Sequence, residues 1–346
     1  MTSLVRALKP AEWPVTDRNA WEQACRPPLR LRSGGAAGHL KASSRLILAR
    51  AYGYFLDFCK RAGLLDMNRA AAGHVTEEIA AAFLAELSGR VGSVTRAILF
   101  GRIRRIAELL HPGGDYRWLR ELASELKLNA CPRPKQHRIV DSRRLLVLGL
   151  ALIDRAESIP RMTNLGRARL FRDGLMIALL SLCPIRLANF SSLRIGNQIR
   201  RIDGGWWIEL GATETKGGRP DERPVADLLT PHLDRWVGHW HTYFLDPGDA
   251  LWPSTKGGML AYSFVGKVIT DVTRLELGIA VSPHLFRDSA VHTVANNLGD
   301  QMGVASALLQ HTDPRTTELH YNKGASTRAA KKYVAIVTGL EAVSDE

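Results

Sequence analysis

Cysteine is scarce in this chain: Cys25, Cys59, Cys131 and Cys183 are the only four in 346 residues, and they form no CxxC or Cys/His pattern. That spacing excludes a zinc ribbon and a disulfide framework, and it predicts reduced thiols in a cytoplasmic protein. Long apolar runs are missing too, and the opening MTSLVRALKPAEWPV lacks the apolar core of a signal peptide, so neither membrane insertion nor secretion is expected. No acidic cluster of metal-ligand spacing occurs, and no stacking motif of the RNA-binding modules. Negative charge is itself in deficit, with 34 Asp and Glu against 47 Lys and Arg, a formal net charge of +13. An otherwise ordinary globular composition with this excess favours a polyanionic partner, and nucleic acid is the commonest.

The length allows two domains, each with its own core. Residues 1–40 are rich in Pro, Gly and Arg and read as an N-terminal arm or linker, with a short helix over 17–25 capped by Thr16 or Asp17. Residues 41–128 carry apolar residues at helical spacing and predict a compact bundle, with Thr76 as one cap and further helices over 94–110 and 116–126. The basic excess concentrates nearby: residues 90–144 hold thirteen Lys or Arg against five Asp or Glu. Arg96, Arg102, Arg104 and Arg105 lie on the 94–110 helix, and Arg133, Lys135 and Arg138 lie in an extended Pro-rich linker over 129–140. Singly, each reads as a solvated surface charge; together they read as a DNA-backbone contact, because each neutralised phosphate releases counterions.

A second domain spans 141–325. It opens with an apolar helix over 141–156, followed by a basic loop around 161–172 and a strongly apolar helix over 174–182. That helix ends at Cys183-Pro184, and Arg186 follows. Strand-like runs around 206–210 and 223–225 flank a Gly-Gly turn that carries Lys216. Residues 231–244 hold three histidines and two tryptophans, but Leu233, Trp236, Val237 and Trp240 have the spacing of a core-facing helix, so packing is favoured over metal binding.

Residues 282–321 gather the remaining chemistry. Ser282 and Pro283 signal a helix start, His284 and Arg287 follow three residues apart, and a second helix stops at His311 ahead of a turn that carries Tyr321. Arginine and histidine are phosphate ligands, and a tyrosine hydroxyl is a nucleophile when its proton can leave.

The pattern His-x-x-Arg, Leu-Leu-Gln-His, Thr-Thr and Tyr resembles the catalytic domain of the tyrosine recombinase, or phage integrase, family. The resemblance implies a mainly α fold with a small β-hairpin or sheet, in which an α-helical core-binding domain precedes a mixed α+β catalytic domain. It implies as catalytic residues Arg186, Lys216, His284, Arg287, His311 and Tyr321, with no metal and no cofactor. Its substrate would be double-stranded DNA with an inverted-repeat site, bound by a dimer per site and a tetramer in synapsis. Residues 326–346 would form a C-terminal helix and tail for protomer contacts, and the setting would be cytoplasmic and nucleoid-associated.

Two positions depart from the family pattern. Asn189 stands where a Glu is common, and Tyr321 lies one position further from His311 than usual, with Tyr333 as the fallback nucleophile. The absence of a separate N-terminal domain favours a transposition or simple recombination role over a phage integrase. A non-catalytic DNA-binding protein on the same scaffold and a type IB topoisomerase are the alternatives.

Overall fold

The computed structural model of the chain describes residues 6–28, 33–132, 135–215, 218–298, 308 and 322–339. Its elements are mainly helical with one small sheet, and they fall into two compact units, Met1–Pro134 and Lys135–Glu346.

Five helices build the first unit: α1 (Val15–Ala24), α2 (Ala42–Arg61), α3 (Glu77–Ser88), α4 (Ser93–Leu110) and α5 (Arg117–Leu128). Thr76 caps α3 as its sequence position predicts, its side chain accepting from Ile79 N. The first forty residues depart from the reading as an arm or linker, because Leu8, Trp13, Trp21, Ala24 and Ala37 join the same core as α2 to α5. Asp17 is no cap either. It is fully buried, and its carboxylate accepts from Tyr52 Oη at 2.8 Å and from Ala72 N at 2.6 Å. Burial raises its pKa above the ordinary aspartate value, against the two hydrogen bonds, which lower it.

In the second unit, α6 (Ser142–Ser158) and α7 (Asn164–Leu182) form a tightly packed pair. Two glycines permit the approach: a Cβ on Gly149 would lie 2.6 Å from Ala178 N, and one on Gly174 would lie 2.7 Å from the Gly149 carbonyl. The stretch read as a basic loop is the first half of α7, capped by Thr163, whose side chain accepts from Gly166 N. Within it Arg172 is buried, paired with Asp173 and donating from Nη1 to Pro253 O at 2.8 Å.

After the short α8 (Leu187–Ser191) come β1 (Ile199–Ile202), β2 (Gly205–Leu210) and β3 (Asp221–Pro224), an antiparallel sheet in that order. The tight turn joins β1 to β2, where Asp203 and Gly204 both have positive φ. The β2–β3 connection is longer and contains position 216. Next, α9 (Thr230–Gly238) sends Leu233 and Trp236 into the core, with Trp240 from the turn that follows. The unit closes with α10 (Tyr262–Leu277), α11 (Pro283–Leu298) and α12 (Asn322–Thr338). In the segment expected to make protomer contacts, Ala330, Tyr333 and Val337 of α12 lie in the core of their own unit. Among the described residues no helix is long and apolar enough to cross a membrane.

Candidate active site

The site begins at a sequence-encoded break. Pro184 lacks an amide donor and disfavours the helical conformation at Cys183, so α7 ends at Leu182. Arg186 then stands in extended conformation as the residue that opens α8, half-buried. From the other direction α11 packs on α6, α7 and α10 through Leu285, Phe286, Ala290 and Val294. That seating buries Arg287, whose Nη1 donates to the Pro184 carbonyl at 2.7 Å.

One guanidinium is thus tied to the backbone two residues ahead of the other. Burial, followed by the like charges of Arg186 and Arg223, pushes the Arg287 pKa down to about 10, while Asp221 and Asp288 act the other way. At neutral pH the group remains a cation, so the site concentrates positive charge in a partly desolvated place. Such a place suits a phosphodiester, whose oxygens match the guanidinium fork.

Arg223 and Asp221 belong to this neighbourhood, although the sequence pattern marked 223–225 only as a strand-like run. Both are buried, with Arg223 at 1% exposure, and they form a two-bond pair: Nε to Oδ1 at 2.7 Å and Nη2 to Oδ2 at 2.8 Å. The Asp-x-Arg spacing was the available signal, since alternate residues of a strand share a face. Asn189 is partly exposed and makes no side-chain hydrogen bond to Arg186 among the described residues.

The remaining expected residues divide sharply. His284 is exposed on the first turn of α11. Lys216, His311, Tyr321 and Arg133 lie outside the described residues. Thr215 Oγ1 donates to Arg219 O at 2.6 Å and accepts from Arg219 N at 3.0 Å. Arg194, the next arginine along the chain from Arg186, pairs with Asp249. Tyr333 is fully buried and its hydroxyl donates to Ser181 O at 2.5 Å, and burial raises its pKa further. A phenol so placed is a packing residue, which removes the fallback nucleophile.

The expected DNA-contacting cations are equally unequal. Arg104 pairs with Glu108 at 2.8 Å, and Arg105 reaches the same carboxylate at 3.8 Å. Arg96 is half-buried and donates to Ser88 O at 3.4 Å, whereas Arg102 has no partner among the described residues. Lys135 lies 3.9 Å from Asp288. Arg138 is committed to the fold, because its Nε and Nη2 donate to Ala280 O at 3.0 and 2.6 Å and brace the loop that leads into α11.

No family model and no curated protein sequence matches the chain. Among solved structures it is similar to the XerH site-specific recombinase bound to difH substrate in a pre-cleavage complex, at 16% identity and a TM-score of 0.51 over 78% of this chain and 74% of that one. The post-cleavage complex of XerH with palindromic difH gives 15% identity and a TM-score of 0.50 over 78% and 73%. A lambda integrase dimer bound to a COC' core site follows at 17% identity and a TM-score of 0.48, over 90% and 94%. What this chain shares with XerH is the fold, that of the tyrosine recombinases.

Proposed function

We propose that this chain is a site-specific DNA recombinase that cleaves and rejoins DNA through a 3′-phosphotyrosyl intermediate. The observation that carries the reading is the convergence of Arg186 and Arg287 at the break after α7, fixed by the Arg287–Pro184 hydrogen bond.

In the reaction, the Tyr321 oxygen attacks the scissile phosphorus, a P–O bond to the tyrosine forms, and the bond to the 5′-oxygen breaks. Charge accumulates on the non-bridging oxygens, where two guanidiniums bind it with fixed, paired hydrogen bonds. Lys216 protonates the departing 5′-oxygen, and His284 takes up the tyrosine proton. His311 binds a phosphate oxygen. The phosphotyrosyl link conserves the energy of the broken bond, so attack by a second 5′-hydroxyl reverses the step on a new partner. The substrate is double-stranded DNA with inverted half-sites, bound by a dimer per site and by a tetramer in synapsis. Its biological setting is integration, excision or transposition of a mobile element, near the nucleoid.

The test is trapping on a nicked suicide substrate that carries the site from DNA flanking the gene, with denaturing electrophoresis and no added metal. Wild type gives a covalent protein–DNA adduct and Tyr321→Phe gives none. Specific binding without an adduct replaces this reading with a non-catalytic DNA-binding protein. Relaxation of supercoils by a monomer without strand exchange replaces it with a topoisomerase.

A further inference from the structure

The core-facing positions of a strand in a three-stranded sheet are ordinarily apolar. On β2 they are: Trp206, Ile208 and Leu210 are buried and alternate with less buried neighbours. On β3 the two inward positions are Asp221 and Arg223, which lie opposite Leu210 and Ile208. The sheet therefore delivers an ion pair, rather than two aliphatic side chains, into the core of the unit. Desolvating such a pair is costly, and apolar residues of similar size are often as stable or more so.

The pair also faces particular neighbours. The charges of both members act on Cys183, the residue before Pro184, and both act on Arg287. Arg223 uses Nε and Nη2 on Asp221, and its Nη1 is buried without a hydrogen-bond partner among the described residues. Asp221 is itself buried, at 5% exposure, and with Asp288 it is one of two carboxylates whose charge acts on Arg287. It thus supplies negative charge to a cluster of three guanidiniums, at a distance in sequence from Asn189.

We infer that Asp221 and Arg223 are positioning residues of the phosphate site: Asp221 balances the guanidinium cluster, and Arg223 holds that carboxylate in place, so that Arg186 and Arg287 are fixed before DNA binds. The inference rests on the recombinase reading above. It assigns the work of orienting the arginines to β3, and it explains why an ion pair occupies a place where a core would otherwise be apolar.

The experiment measures single-turnover adduct formation at saturating nicked substrate for wild type, Asp221→Asn, Arg223→Met and Arg223→Lys, with DNA affinity and thermal unfolding measured on the same preparations. A second substrate carries a neutral methylphosphonate at the scissile position, which removes the charge that the arginines bind. The expected result is a loss on the order of a hundredfold in Asp221→Asn and Arg223→Met, as for a misplaced catalytic group, with DNA affinity little changed. That loss shrinks at least tenfold on the methylphosphonate, by the logic of transition-state charge stabilisation, and Arg223→Lys, which keeps the cation, loses less than Arg223→Met. A merely structural role lowers the folded fraction and slows both substrates alike, and that outcome overturns the inference. So do variants that react on the phosphodiester as fast as wild type. A wild-type chain that forms no adduct overturns the recombinase reading itself, and the inference with it.

Discussion

Arg287 donates from Nη1 to the carbonyl oxygen of Pro184 at 2.7 Å, a link across 103 positions of sequence. It joins the buried face of α11 to the break after α7, and so brings Arg287 to the segment that carries Arg186, the two arginines of the proposed phosphate site. A lysine has neither the second donor arm nor the planar fork needed to hold the carbonyl and a phosphate together. Arg287→Lys is expected to slow adduct formation by about 100- to 1,000-fold, the range seen when one donor to a developing oxyanion is removed. Single-turnover trapping at saturating DNA reads it, and an undiminished rate removes Arg287 from the site.

Two tyrosines are separable by stability and activity. Tyr333→Phe keeps the packing of α12 but removes the donor to Ser181 O, so it should cost about 1 kcal/mol of stability. Adduct formation by the folded variant is expected to match wild type, whereas Tyr321→Phe abolishes it. Denaturant unfolding and suicide-substrate trapping check the two halves.

At the α6–α7 contact the constraint is steric. A methyl group on Gly149 would meet the backbone of Ala178 and the carbonyl of Gly174, each under 3.0 Å, and no flexible side chain is there to yield. Gly149→Ala should destabilise the second unit by about 1–3 kcal/mol, the usual cost of overpacking. Gly92→Ala, where a Cβ meets nothing within 4 Å, is the control. Equal unfolding midpoints for the two variants would contradict the close approach.

Asp17 provides a pH test of the first unit. Its folded pKa is raised by burial, so its stabilising contribution is complete below the unfolded value and is lost as pH rises through the folded one. Asp17→Asn has no such loss. The unfolding temperature of the variant relative to wild type should therefore rise as the pH is raised through and above the ordinary aspartate range. A constant difference across that window would show that the carboxyl is not perturbed.

Two arginines expected alike from the sequence should behave differently in DNA binding. Arg102 has no partner among the described residues, so Arg102→Ala should lower the slope of log affinity against log salt by about one contact's worth, roughly 0.9. Arg138 braces Ala280 O, so Arg138→Ala should lower thermal stability and leave the slope nearer to wild type. Affinity measured from low to moderate salt, beside a thermal melt, distinguishes them.

Much of this protein was legible before its structure. Helices in both units, though not the basic first half of α7, follow from apolar spacing, the cap at Thr76 from its residue type, and the end of α7 from Pro184, because these signals act within a few residues of themselves. The misreadings share one cause. The first forty residues have a linker's composition, yet Trp13 and Trp21 find a core that α2 to α5 complete, and Asp17 looks like a cap until Tyr52 and Ala72 surround it.

The sequence by itself determined the break that precedes Arg186, and a net charge of +13 that favours a polyanionic partner. Tertiary structure alone decided which arginines share a site. Arg194 is eight residues from Arg186 and pairs elsewhere with Asp249, while Arg287 and Arg223, from a distant helix and strand, act on the same buried neighbourhood. The reason is physical: helix and turn signals are short-ranged and additive along the chain, whereas charge clustering depends on distance in space and on desolvation, and both exist only once α7, α11 and β3 have packed.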